Sequence, residues 1–420
     1  MALSHSKILC KYQIRHKHKK GVFVLSQFES YPFEKLRTLL SHSTPPQDSE
    51  IFTLTIGEPQ FPTPQNIIES LQHNAPLLNK YPKSSGESYL KDAQLSFIKQ
   101  RYKISLTQEQ IIPTFGTREV LFNFPQFYLY GKANPTIAYP NPFYQIYEGA
   151  ALASKAKVIY MNLTKENDFT PHLTESQLKE VDIVILNSPN NPTGKAMDMP
   201  SLIQWVENAL RYDFVILSDE CYSEIYSNSP PPSILEASIQ ANNKNFKNII
   251  VLNSISKRSC APGLRSGFVA GDSEILKAYN LYRTYLGCAL PLPLQKAAAT
   301  AWQDMQSPES SRKIYAKNLA LAQEILGQWF LDRDCKIYPY TFYVWLEVGD
   351  DEAFCKFAYE KCGVLTLPGS YLGRENQGRG YVRIALVYDN DTTQKALLKL
   401  KEALTLYKKL YKTLDKKEQE

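Results

Sequence analysis

Between residues 110 and 290, short apolar runs rich in Val, Ile and Leu alternate with stretches of helical period. That alternation predicts βαβ units wound into a mostly parallel sheet. The runs at 136–139, 157–161, 182–186, 214–217, 249–252 and 267–270 lack polar alternation, so they read as strands buried on both faces. Met199–Tyr212 and 273–285 carry helical spacing between them. After residue 294 the pattern becomes a long helical stretch over 294–330, then strands at 341–348 and 381–387 and a last helix near 391–415. This is the texture of a smaller α+β domain. The expected division is a disordered basic extension over 1–28, a segment over 29–50 packing on the small domain, a large domain over 51–293, the small domain over 294–415 and a tail over 416–420.

Charge and composition narrow the function. Lys and Arg number 48 against 42 acids, a net charge of +6, and the excess is carried by Lys7, Lys11, Arg15, Lys17, Lys19 and Lys20. The body is therefore balanced, which weakens a nucleic-acid reading, and so short a basic segment could not fold into a helix-turn-helix. No apolar stretch is long enough to span a membrane, and the apolar run 21–25 is too short for a secretion signal, so a cytoplasmic chain is expected. The cysteines at 10, 221, 260, 288, 335, 355 and 362 form no C-x-x-C pair, arguing against a disulfide framework or a zinc knuckle. The sequence lacks H-E-x-x-H, a phosphate-binding P-loop and G-x-G-x-x-G after a strand. No metal is expected.

In an open parallel sheet the ligand lies beyond the carboxyl ends of the strands. There the sequence places Asn187-Ser188-Pro189-Asn190-Asn191-Pro192-Thr193-Gly194, Ser218-Asp219-Glu220-Cys221-Tyr222 and Asn253-Ser254-Ile255-Ser256-Lys257. A lysine ending a buried strand is costly unless paired or neutralised, and a desolvated lysine is a good amine nucleophile toward an aldehyde. Alone, Lys257 reads better as a lysine of a solvent loop. In combination, a pyridoxal phosphate site needs a carboxylate on the ring nitrogen, which Asp219 could supply, and neutral donors on the ring hydroxyl, which Asn191 and Tyr222 could be. Hydroxyls, a guanidinium and a helix N-terminus suit the phosphate: Ser254, Ser256, Arg265 and the glycine turn Phe115-Gly116-Thr117-Arg118-Glu119. A plain helix cap explains that turn as well, and Tyr144 reads either as a platform for the ring or as core.

Asn190-Asn191-Pro192-Thr193-Gly194, Asp219-Glu220-Cys221-Tyr222, Ser254-Ile255-Ser256-Lys257, Arg265 and Tyr381-Val382-Arg383-Ile384-Ala385 together resemble the class I/II aminotransferases, in order and spacing over residues 30–410. The resemblance implies an α/β chain of fold type I, with a mostly parallel large domain and a smaller α+β domain, that uses pyridoxal 5'-phosphate. It implies Lys257 as the Schiff-base lysine, Asp219 on the pyridinium, and Asn191 and Tyr222 on the ring hydroxyl. Gly116, Thr117, Arg118, Ser254, Ser256 and Arg265 would surround the phosphate, and Tyr144 would stack on the ring. Arg383 would grip the substrate α-carboxylate, Gly57 would belong to the segment closing over it, and Tyr81 would reach the partner subunit's phosphate in a homodimer with shared sites.

A closer resemblance is carried by Tyr31-Pro32-Phe33-Glu34-Lys35-Leu36, Lys257-Arg258-Ser259, Pro262-Gly263-Leu264-Arg265-Ser266-Gly267-Phe268 and Leu367-Pro368-Gly369-Ser370-Tyr371-Leu372-Gly373-Arg374. These look like bacterial succinyldiaminopimelate aminotransferases of lysine and peptidoglycan synthesis, although Cys260-Ala261 departs from them and residues 1–28 have no counterpart. The implied reaction joins N-succinyl-LL-2,6-diaminopimelate and 2-oxoglutarate to give the 6-oxo compound and glutamate. Other readings of the same cofactor chemistry are an aspartate or aromatic aminotransferase and a carbon–sulfur β-lyase. Arg283, Arg258 and Arg374 are candidates for reading the distal carboxylate.

Overall fold

The computed structural model describes residues 28–333 and 335–417. The extension expected over 1–28 lies outside them as far as residue 27, and the tail lies outside from residue 418. After a two-residue strand β1 (Phe52–Thr53), the chain lays down β2 (Ile111–Thr114), β3 (Thr136–Asn141), β4 (Lys157–Asn162), β5 (Ile183–Asn187), β6 (Val215–Asp219), β7 (Ile249–Ser254) and β8 (Gly267–Gly271). β2 to β8 form one sheet in the order β2-β8-β7-β6-β5-β3-β4. β3 to β7 pair in parallel, and β8 runs antiparallel to both of its neighbours.

Every residue of β5, β6 and β7 is buried. Alternate positions serve opposite faces, as a strand period of two requires. Val184, Leu186, Ile216, Ile249 and Val251 join one core with the helices Ser88–Tyr102, Met199–Tyr212 and Leu292–Gln303. Ile183, Ile185, Val215, Leu217, Ile250 and Leu252 join another with the helices Thr117–Tyr128, Ile146–Ala153 and Ser273–Arg283. Six of these strands follow the apolar runs of the sequence. β2 does not, because Pro113 interrupts it; as an edge strand paired only with β8, it tolerates a residue without an N–H.

The smaller unit holds β9 (Tyr343–Glu347), β10 (Val364–Leu365), β11 (Leu367–Pro368) and β12 (Tyr381–Ala385), with the long helices Gln306–Leu331 and Asn390–Lys417. The helical pattern of 294–330 is two helices rather than one. Asp304 is extended, and its carboxylate accepts the N–H groups of Gln306 and Ser307 at 3.0 Å each, which starts the second helix afresh. Ala297, Ala298, Ala301 and Trp302 of the first helix are buried in the large core. β1, expected in the large domain, pairs with β10, and Phe52 and Leu54 lie in the small core. The helix Pro32–Leu39 sets Leu36 in a cluster with Leu163, Phe169, Trp345, Leu367 and Leu372.

Candidate active site

Parallel pairing brings the carboxyl ends of β5, β6 and β7 to one edge, where Asn187 pairs with Asp219 and Asp219 with Leu252. A cavity of about 770 Å³ opens there, large enough for a cofactor and a substrate together. Lys257 reaches it from the one-turn helix Ile255–Arg258, whose start is fixed by Ser254: its hydroxyl accepts the Ser256 N–H at 3.1 Å. The Lys257 amine donates to the carbonyl of Gly57 and stands 6.0 Å from the ring centre of Phe342.

Asp219, at the end of β6, is 4% exposed and lines the same cavity. Its Oδ2 accepts the Tyr147 hydroxyl at 2.8 Å and its Oδ1 the Cys221 N–H at 3.3 Å. Burial pushes its carboxyl above the usual range, because the neutral donors of Tyr147 and Cys221 only partly replace the lost water. The Tyr222 hydroxyl lies 3.1 Å from that of Tyr343, and burial pushes the Tyr222 phenol well up, so it keeps its proton.

A second cluster has the character of an anion cradle. Gly116, at φ +76° and ψ 163°, sits where essentially only glycine is found and opens the helix Thr117–Tyr128. A Cβ there would lie 2.3 Å from Nη2 of Arg265, so glycine is what lets the guanidinium approach the helix start. Arg265 Nη1 donates to the Pro262 carbonyl at 2.8 Å, and the Ser254 and Ser256 hydroxyls, 2.9 Å apart, complete the rim. Thr117 places its hydroxyl 3.1 Å from the Cys221 sulfur.

From the small unit, β12 delivers Arg383 to the same cavity, where it is 4% exposed. Its Nη1 donates to Asn191 Oδ1 at 2.8 Å and its Nη2 to the Thr55 carbonyl at 2.6 Å, while Nε is buried without a partner. Tyr343 stacks on it, 4.4 Å from ring centre to guanidinium carbon. A Cβ on Gly57 would fall 1.8 Å from the Tyr343 hydroxyl, so the turn can pass under that ring only as glycine.

Gly57, Thr117, Arg118, Tyr144, Asn191, Asp219, Tyr222, Ser254, Ser256, Lys257, Arg265 and Arg383 thus share one cavity wall, with Gly116 directly behind Arg265. Tyr81 does not join them and is fully exposed at 101%. Arg118 turns its guanidinium to two phenols, Tyr144 at 2.8 Å and Tyr31 at 3.1 Å. The arginines weighed for a distal carboxylate are bound elsewhere. Arg283 is paired with Glu119 at 2.7 Å, Arg374 with Glu148 at 2.6 Å, and Arg258 is buried on the carbonyls of Ala301 and Asp304, both at 2.9 Å. Sequence reasoning missed Tyr147, Tyr343 and the Thr55 carbonyl. Only Tyr147 had a local signal, its place three residues beyond Tyr144 at the start of the helix Ile146–Ala153. Among the described residues no His, Cys, Asp and Glu cluster could hold a metal, and no helix is long and apolar enough to cross a membrane.

Comparison with known proteins agrees with this geometry. Residues 49–400 match the family model described as aminotransferase class I and II. The chain is 28% identical to a putative aminotransferase AatC of Rhizobium meliloti, over 89% of this chain and 93% of that one. It is 29% identical to an LL-diaminopimelate aminotransferase of Moorella thermoacetica, over 84% and 91%. Among solved structures, the aminotransferase AspB of Helicobacter pylori superposes with a TM-score of 0.87 at 53% identity, over 91% of this chain and 99% of that one. An aminotransferase of Neisseria meningitidis gives 0.86 at 39%, with the same coverage.

Proposed function

Since the chain belongs to the class I and II aminotransferases and is a pyridoxal-phosphate-dependent enzyme of that family, we propose that it transfers the amino group of N-succinyl-LL-2,6-diaminopimelate to 2-oxoglutarate, with Lys257, Asp219 and Arg383 at the reacting centre. The observation that carries this reading is the convergence on one cavity wall of an amine, a buried carboxylate without a cation and a guanidinium with an unpartnered N–H. The residues fit the cofactor. Asp219 offers a buried carboxylate with no cation of its own to a ring nitrogen, and the glycine-walled cradle of Arg265, Ser254, Ser256 and the first turn Thr117-Arg118 suits a phosphate.

When bound, pyridoxal phosphate supplies an aldehyde for imine exchange and an electron sink for the carbanion at Cα. The chain's own residues do the rest. Arg383 holds the α-carboxylate through its fork, steadied by Asn191 and the Thr55 carbonyl. Asp219 would hold a proton on the ring nitrogen, and Asn191 and Tyr222 would donate to the ring oxygen. Tyr144 lines the ring face. The Lys257 amine, once released, takes the proton from Cα and returns it one atom away. Tyr81, fully exposed, would reach the partner subunit's phosphate in a homodimer.

For the substrate, the support is Arg118. Its two partners are neutral phenols, so its positive charge is unspent at a cavity wall and suits the carboxylate at the far end of a long diacid. Relatives named LL-diaminopimelate aminotransferase fit the same carbon skeleton. A panel of amino donors, scored by oxo-acid formation with 2-oxoglutarate, tests this. Succinyldiaminopimelate should lead free LL-diaminopimelate, aspartate and tyrosine in kcat/KM. A lead by any other donor overturns the substrate while leaving the family intact, and pyruvate release from cystathionine would reveal a β-lyase.

A further inference from the structure

Tyr147 is a side chain the reaction scheme leaves unused. It sits in the first turn of the helix Ile146–Ala153 and is wholly buried at 0% exposure. Its hydroxyl donates to Asp219 Oδ2 at 2.8 Å, while the Cys221 backbone N–H and thiol serve the same carboxylate from the chain that follows it. The ring is confined between Tyr139, 6.1 Å away, and Tyr144, 5.9 Å away and nearly perpendicular. A phenol so enclosed cannot swing to another acceptor. Burial and the neighbouring carboxylate push its ionisation well up, so it remains a donor at every pH at which the protein works.

We propose that Tyr147 is a positioning residue for the cofactor's ring nitrogen: its hydroxyl fixes Oδ2 of Asp219, holding the carboxylate ionised and aimed at that nitrogen. A carboxylate with no cation and few donors drifts toward its neutral form when buried, and a neutral acid cannot hold a pyridinium. The phenol supplies the donor that counters this drift without neutralising the charge that the nitrogen needs. The inference rests on the reading of Asp219 given above.

The test is Tyr147→Phe, which keeps the ring and its packing and removes only the O–H. The apo form is titrated with pyridoxal phosphate and with the analogue in which carbon replaces the ring nitrogen, beside the parent and Asp219→Asn, and thermal unfolding is followed in parallel. Tyr147→Phe should weaken pyridoxal phosphate by about tenfold, the scale of one hydrogen bond to a charged group, and leave the carbon analogue unchanged. Its kcat should fall by a similar factor, with KM for the amino donor held within about twofold. Equal loss with both cofactors, or no loss with either, overturns the proposal, the former marking a merely structural tyrosine. If Asp219→Asn also treats the two cofactors alike, the assignment of Asp219 fails, and Tyr147 with it. If Asp219→Asn discriminates and Tyr147→Phe does not, only the role of Tyr147 falls.

Discussion

Arg383 donates to the side-chain oxygen of Asn191 across 2.8 Å, joining the small unit's β12 to the loop that follows β5. The contact fixes the orientation of the Asn191 amide, since its oxygen is taken as acceptor and its NH₂ is left as the donor for the cavity it lines. On the proposed reading, one guanidinium would orient the group that meets the cofactor's ring oxygen while offering its own Nε, buried without a partner, to a carboxylate.

Arg383→Lys should separate these duties. Lysine keeps a charge but cannot hold Asn191, the Thr55 carbonyl and a carboxylate in one planar fork. We expect kcat/KM to fall by roughly 10–100-fold for every amino donor, the scale of one or two charged hydrogen bonds, and cofactor affinity to fall by less than that, through the freed Asn191 amide alone. Steady-state kinetics with apo-protein titration check both.

Gly116→Ala should act on the cofactor instead. Its φ of +76° with ψ 163° is a conformation that alanine adopts only at a cost of about 1–3 kcal/mol, and the new methyl would collide with Arg265. The dissociation constant for pyridoxal phosphate should rise by about tenfold or more, measured by titration of the apo form.

Arg118→Met should act on the substrate's far end. The loss of a charged hydrogen bond should raise KM for succinyldiaminopimelate by about tenfold, and leave a donor with a single carboxylate, such as alanine, nearly unaffected. Equal effects on both donors would place Arg118 outside the substrate contacts.

How far the sequence foretold this site depends on distance along the chain. Lys257, Asp219 and Asn191 were legible because parallel strands align their exits, so three local motifs imply one place. The Thr55 carbonyl and Tyr343 were not. Each is brought to Arg383 by the docking of the small unit, and no spacing in the sequence encodes that contact. In the fold, β2 was hidden by Pro113 and the break at Asp304 by its helical surroundings. Both depend on a hydrogen bond made or omitted at one residue rather than on a repeating pattern.

Stability should carry the mark of Glu220. Its carboxyl is buried at 2% exposure; Oε1 accepts from Ser218 at 3.1 Å and from the Ile234 N–H at 2.8 Å, and Oε2 has no partner. Burial pushes it up from 4.5 to about 7. The folded chain therefore holds this proton more tightly than the unfolded chain, so its contribution is full below about pH 4.5 and is lost as pH rises through about 7. Relative to the parent, Glu220→Gln should gain up to about 3 kcal/mol of unfolding free energy on going from about pH 5 to about pH 8. Denaturant unfolding at the two pH values checks the sign.

The central claim is that the amine of Lys257 bonds to the cofactor and moves the proton at Cα. Its most direct test is a half-reaction with Lys257→Ala loaded with pyridoxal phosphate: amino donor is added, and oxo acid is measured beside the visible absorbance of the bound cofactor. The account predicts that the lysine-dependent absorbance is absent and that oxo-acid formation falls by at least about a thousandfold, within the range such proton transfers contribute. Oxo acid released at a rate near that of the parent would contradict it.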